Sequence, residues 1–161
     1  MRSLAHEILK QSTIPLWIMR RAAIGRLSHK ILVPIVDDAL SRVAIAYAHD
    51  VARNFESTLL FCTLDQSFTT TTAARALVDH AREDARALGI EADAFLLSPE
   101  RNVSEMISQS ALVHGYDAIV MATHLREGFA RLVEGSVTEA VIYASNVPVL
   151  VVRSATPPSA A

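Results

Sequence analysis

Five short apolar runs, each parted from the next by a stretch with helical spacing, govern what this chain can fold into. Residues 31–36 form a continuous, β-branched-rich run of the kind found in strands covered on both faces. Pro34 falls near its end, where a missing N–H does least harm to a ladder. Further strands are expected at 57–64, 92–97, 117–122 and 147–152. Between them Ala44, Tyr47, Ala48, Val51 and Phe55 recur at helical spacing. Ala73, Leu77, Ala81, Ala85 and Leu88 form a second stripe, opened by the polar run Thr69 to Thr72 and stopped by Gly89. Asn102 and Glu105 make a capping box for a third helix with Val103, Met106, Ile107 and Ala111 inward, ended by Gly115. A fourth spans 136–145, with Val137, Ala140, Val141 and Ala144 inward.

Strands that alternate with helices over short connections build a parallel sheet with helices on both sides. The expected fold is therefore α/β: a five-stranded parallel open sheet, doubly wound. With strand order 3-2-1-4-5, the ligand crevice lies beyond the carboxyl ends of the strands, where the order reverses. That places it between the loops at 37–40 and 123–135.

Residues 3–20 stand outside this count. They align without a gap on residues 136–153: Ser3 meets Ser136, Ser12 meets Ser145, Pro15 meets Pro148 and Arg20 meets Arg153. Ile14, Leu16, Ile18 and Met19 match Val147, Val149, Val151 and Val152 in character. This reads as the last helix and strand of a second copy of the domain. Its strand is expected to pair antiparallel with 147–152, within the chain or across a dimer, because an apolar edge left open invites aggregation. The organisation is then a helix–strand remnant at 1–20, a linker at 21–29, the domain at 30–153 and a disordered tail at 154–161.

Bulk properties exclude several classes of function. A hydrophobic fraction of 51% with 20% charged residues is that of a globular domain, and no apolar run reaches the roughly 18 residues of a membrane span. A net charge of −2 with both signs interspersed leaves no footprint for nucleic acid or an anionic membrane. The single Cys62 excludes an internal disulfide framework and fits a reducing compartment; the first seven residues lack a secretory profile, so a cytoplasmic location is expected. Cys62 itself reads as a buried small hydrophobe. The six histidines show no metal-ligand spacing, and no nucleophile elbow, P-loop or paired-carboxylate constellation gives catalysis a seat. Neither an enzyme nor a metal site is expected. Asp37 and Asp38 read as a helix cap rather than a Mg²⁺ site, and Arg82, Glu83, Asp84 and Arg86 as a solvated helix face.

Residues 121–137, Met-Ala-Thr-His-Leu-Arg-Glu-Gly-Phe-Ala-Arg-Leu-Val-Glu-Gly-Ser-Val, together with 31–34, 117–121 and 147–152, resemble the universal stress protein family over about 30–153. The resemblance implies an adenine nucleotide alpha hydrolase-like fold. Nucleotide-binding members carry Gly-x-x-Gly, nine residues, then Gly-Ser or Gly-Thr, so that bare backbone N–H groups approach phosphate and a helix N-terminus faces it. Gly135 and Ser136 stand at the right place and Val137 follows them, but the first two glycines are Ala122 and Leu125. The acidic residue that the family sets just after the proline of strand one falls on Val36, with Asp37 one position late. His124 matches a loop histidine of the family and reads as a loop hydrogen bond. Pro34, Val36, Asp37, Met121, Ala122, Leu125, Gly135, Ser136 and Val137 thus outline a degenerate nucleotide site. No cofactor is expected, ATP being what an intact site would take. The implied role is a stress-response module acting as a homodimer through its last strand or on an unknown protein partner; the alternative is an ATP- or AMP-binding switch.

Overall fold

The computed structural model describes residues 8, 12, 14–19, 29–35, 38–64, 71–97, 102–124 and 137–154. In chain order these form β1 (Leu16–Ile18), β2 (Lys30–Ile35), α1 (Asp38–Phe55), β3 (Thr58–Leu64), α2 (Thr71–Ala87), β4 (Ala92–Leu97), α3 (Val103–Val113), β5 (Ala118–His124), α4 (Val137–Ala144) and β6 (Val149–Ser154). All the strands lie in one six-stranded sheet of order β1-β6-β5-β2-β3-β4. The five strands from β2 onward are parallel and follow the expected order, while β1 runs antiparallel along β6. Its register sets Leu16 opposite Val151, Trp17 opposite Leu150 and Ile18 opposite Val149.

Alternation along each strand divides the apolar side chains between two cores, one per face, which is why the strands read as unbroken apolar runs. Ile31, Val33, Phe61, Val120 and Leu150 face α1 and α2. Leu32, Cys62, Ile119, Met121 and Val149 face α3 and α4. At the amino ends of the strands, the Asp117 carboxylate accepts the N–H groups of His29 (3.0 Å) and Lys30 (3.1 Å) and anchors the entry to β2. α3 opens as its sequence predicts: Asn102 Oδ1 accepts from the Ser104 N–H at 3.1 Å and its hydroxyl at 2.9 Å. Gly89 and Gly115, with φ of +77° and +66°, close α2 and α3 in the left-handed conformation that lets the chain turn back to the next strand.

The helix faces depart from the expected stripes. In α1 the buried positions are Ala44, Ile45, Ala48 and Ala52, and Tyr47 and Phe55 are exposed. In α2 Val78 joins Ala81 and Ala85 in the core while Leu88 points to solvent, and in α4 Ala144 is exposed and Thr138 buried. In α1 the small side chains of Ala44, Ala48 and Ala52 let the helix lie close to the sheet, so that row takes the inner face ahead of Tyr47 and Phe55. The charged face of α2 is likewise more than solvated: Arg86 Nε donates to the Ala92 carbonyl (2.9 Å) at the start of β4, and Arg82 lies 3.1 Å from Asp79. β5 and β6 end two residues later than expected because their pairing continues through Thr123 with Arg153 and His124 with Ser154. Ser154 is therefore strand rather than tail; residues 155–161 lie outside the described part. Among the described residues, no helix is long and apolar enough to cross a membrane.

Candidate functional site

The sheet opens where the strand order reverses. β2 pairs with β5 only at Ile31 with Ala118 and Leu32 with Ile119, whereas β2 stays paired with β3 as far as Ile35 and Thr63. Beyond Leu32 the two central strands are no longer paired with each other. Pro34 lies on this stretch, in register with Cys62 of β3. It has no N–H to offer a neighbour, so the local chemistry agrees with a strand that loses one ladder. A crevice at the carboxyl ends of β2 and β5 is the place the fold offers a ligand.

Of the expected site residues, the structure describes Pro34, Met121, Ala122 and Val137. Val36, Asp37, Leu125, Gly135 and Ser136 lie outside the described residues. Met121 is buried in the core beneath α3 and α4 and presents no side chain to a ligand. Ala122 faces the other way, into the core beneath α1 and α2. Its methyl group therefore fills space between sheet and helices rather than the crevice. Val137 begins α4, half-buried against the second core. His124 is the last residue of β5 rather than a loop residue.

Three polar side chains that the sequence did not single out lie near the carboxyl ends of the strands, and each donates to a carbonyl of the fold. Thr63 donates its hydroxyl to the Ile35 carbonyl at 2.8 Å and so ties the end of β2 to β3. Thr138, buried in the first turn of α4, donates to the Ala122 carbonyl at 3.3 Å and fixes the helix start against β5. Arg153, level with Thr123 at the end of β6, donates through Nη1 to the Ser12 carbonyl of the N-terminal segment. Burial lowers the pKa of that guanidinium. No sequence signal announces these contacts, because each joins residues far apart in the chain.

Elsewhere, burial shifts the titration of Cys62 and Tyr116. Burial pushes the Cys62 thiol far up, as expected of a small hydrophobe under α3. Burial also raises Tyr116, helped by Cys62 and Asp93, where its ring tilts against His114. Among the described residues, no cluster of three or more His, Cys, Asp or Glu is placed to hold a metal ion.

Comparison with known proteins follows the same lines. The model of the universal stress protein family matches residues 28–153. No match is found among curated proteins. A universal stress protein from Archaeoglobus fulgidus DSM 4304 superposes with a TM-score of 0.74 at 22% identity, covering 91% of this chain and 52% of its own length. The chain thus spans about half of that protein. A universal stress protein from Archaeoglobus fulgidus in complex with dAMP matches at TM-score 0.62 and 18% identity, over 78% of this chain and 98% of its own. A universal stress protein in complex with cAMP matches at 0.61 and 19%, over 78% and 97%.

Proposed function

Since the chain belongs to the universal stress protein family, we propose that it is a regulatory binding module of the stress response, acting through its protein surfaces, without catalysis, and with a cleft poorly furnished for nucleotide. The observation that carries this reading is the use of polar groups near the rim: Thr63 and Thr138 give their hydroxyl protons, and Arg153 its Nη1, to carbonyls of the fold. A phosphate group needs donors aimed outward. The sequence adds Leu125 where the family's motif has a glycine, and Val36 where it has an acid. A leucine forced into a left-handed position costs about 1–3 kcal/mol. Partner docking, a second copy of the chain included, is then the activity left to the fold.

A second reading, an adenine-nucleotide switch, draws on two observations. Ala122 places its methyl in the core, so that departure from the motif takes nothing from the crevice. Two proteins of the same fold are complexes with dAMP and cAMP. Calorimetric titration with ATP and Mg²⁺, AMP and cAMP separates the readings. Weak binding, with dissociation constants above about 100 μM, supports the degenerate cleft, and binding tighter than about 10 μM overturns it. In the first case Leu125→Gly is expected to tighten ATP binding roughly 5- to 100-fold, the equivalent of relieving about 1–3 kcal/mol.

A further inference from the structure

The sheet ends at β4, and among the described residues no strand pairs with the outer side of β4. Along a parallel ladder, neighbouring residues of a strand turn their N–H and C=O groups to opposite sides. The Glu91 carbonyl accepts the Leu59 N–H at 2.9 Å, so residue 91 turns toward β3, and 93, 95 and 97 turn with it. The backbone groups of Ala92, Ala94 and Leu96 therefore point away from the sheet. The strand reads Ala-Asp-Ala-Phe-Leu-Leu, and its last four residues are only half-buried. An apolar edge of this kind is a template for a further strand.

Side chains already occupy part of that edge. Arg86 Nε, from the last turn of α2, donates to the Ala92 carbonyl at 2.9 Å. Asp93 Oδ1 accepts the Ala94 N–H at 2.9 Å. Both backbone groups are among those that point outward, and neither bond belongs to the ladder. Arg86 and Asp93 are themselves exposed, so no core packing demands these positions of them. Asp93 is also the one charged residue of β4. We infer that Arg86 and Asp93 close the β4 edge of the sheet to strand addition by a second copy of this chain.

The pair that is kept out shows how much the two side chains block. Antiparallel copies of β4 related by a two-fold axis at Ala94 set Ala94 opposite Ala94 and Ala92 opposite Leu96. Such a pair uses every outward group. Two bonds run from the Ala94 N–H to the Ala94 carbonyl, two from the Leu96 N–H to the Ala92 carbonyl, and two from the Ala92 N–H to the Leu96 carbonyl. Asp93 withholds the first two and Arg86 the second two. The same register sets each Asp93 against the Phe95 of the other copy, which places a carboxylate on a half-buried ring. Strand addition is left with two bonds and a buried charge. The inference rests on the backbone of β4 alone and stands whether or not the cleft binds a nucleotide.

The test uses the full chain and compares Arg86→Ala with Asp93→Ala in one variant, Asp93→Ala alone, and Asp93→Asn, which keeps an oxygen acceptor for the Ala94 N–H without the charge. The double change removes one charge of each sign and leaves the net charge at −2. Arg53→Ala with Glu83→Ala, both exposed on α1 and α2, is the charge-matched control. Circular dichroism reports folding and sedimentation velocity at about 200 μM the mass. Amide hydrogen exchange over residues 92–97, at about 2 and 200 μM, reports the place of contact. Expected is the native mass for Asp93→Asn and for the control. The double alanine variant is expected to double its mass, with exchange over 92–97 slowed by about 10-fold or more at the higher concentration. A folded double variant of native mass overturns the inference, and so does association that leaves exchange at 92–97 unchanged. Equal association of Asp93→Asn or of the control overturns it as well, since charge rather than the two bonds then governs the edge. If the double variant does not fold, Asp93→Ala alone is held to the same criteria. If it precipitates, exchange is read on the suspended pellet, where slowed exchange at 92–97 supports the inference and unprotected amides refute it.

Discussion

The paired serines give the most direct measure of what the two matching segments contribute. Ser145 is buried, and its hydroxyl both donates to and accepts from Val147. Ser145→Ala removes two hydrogen bonds and leaves backbone groups of a half-buried turn without partners. Each lost bond costs about 0.5–1.5 kcal/mol, and a buried group left unsatisfied adds to that. A loss of about 2 kcal/mol is expected, which in a chain of this size lowers Tm by roughly 4–8 °C. Ser12 makes the same bonds at similar distances, but it is partly exposed, so water replaces the hydroxyl. Ser12→Ala should move Tm by no more than about 1 °C. Its effect is local, on the seating of β1, and Trp17 is the only tryptophan of the chain. The assay follows thermal unfolding by circular dichroism beside Trp17 emission. In Ser12→Ala the emission change is expected to precede the loss of helix, whereas in Ser145→Ala the two fall together. Equal Tm losses for both variants would refute the reasoning, because they would mean that β1 is as much a part of the cooperative core as β6.

Two titratable residues yield further expectations. Cys62 is fully buried and its thiol is held protonated by burial, so Ellman's reagent at pH 8 should find no thiol in the native chain and one in guanidinium; rapid native labelling would contradict the placement. His49 lies edge-on to Phe61, its Nε2 is buried without a hydrogen-bond partner, and burial lowers its pKa against the opposing pull of Asp84 and Asp50. The folded state thus binds this proton less readily than the unfolded one. Stability should be complete above the ordinary histidine range near pH 6.5 and decline as pH falls below it. His49→Leu should flatten the difference between urea midpoints at pH 7.5 and 5.5, and an unchanged difference assigns the dependence to other groups.

The strands were legible because a parallel sheet buried on both faces leaves no alternation to misread, and β-branched runs such as 31–35 have no other comfortable place. Helix orientation was less legible. Alanine fits either face, so Ala44, Ala48 and Ala52 carry no more weight in the sequence than Tyr47 and Phe55, and only closeness to the sheet decides between them. The location of the site could be read from topology, and Pro34 and Ala122 fall at it. Its chemistry could not. Thr63, Thr138 and Arg153 acquire their partners through long-range contacts, and a threonine in a strand looks the same whether its hydroxyl faces a ligand or the Ile35 carbonyl. Asp117 escaped notice for the same reason, since its partners at His29 and Lys30 lie at the start of another strand.

The two matching segments separate what a sequence encodes locally from what its surroundings add. The serine turn is reproduced bond for bond in both, so it needs nothing beyond its own residues. Burial is not reproduced. Val141 is 0% exposed but its counterpart Ile8 is 47% exposed, and Val152 is 1% exposed against 44% for Met19. Val141 and Val152 are covered by the sheet and helices of the domain, whereas Ile8 and Met19 are not, among the described residues. An apolar element without a core has little reason to hold a defined place, since burial is the main favourable term in folding. β1 nevertheless sits in register, with Trp17 against one core and Ile18 against the other. What positions it is the edge of β6, along which Leu16, Trp17 and Ile18 pair with Val151, Leu150 and Val149.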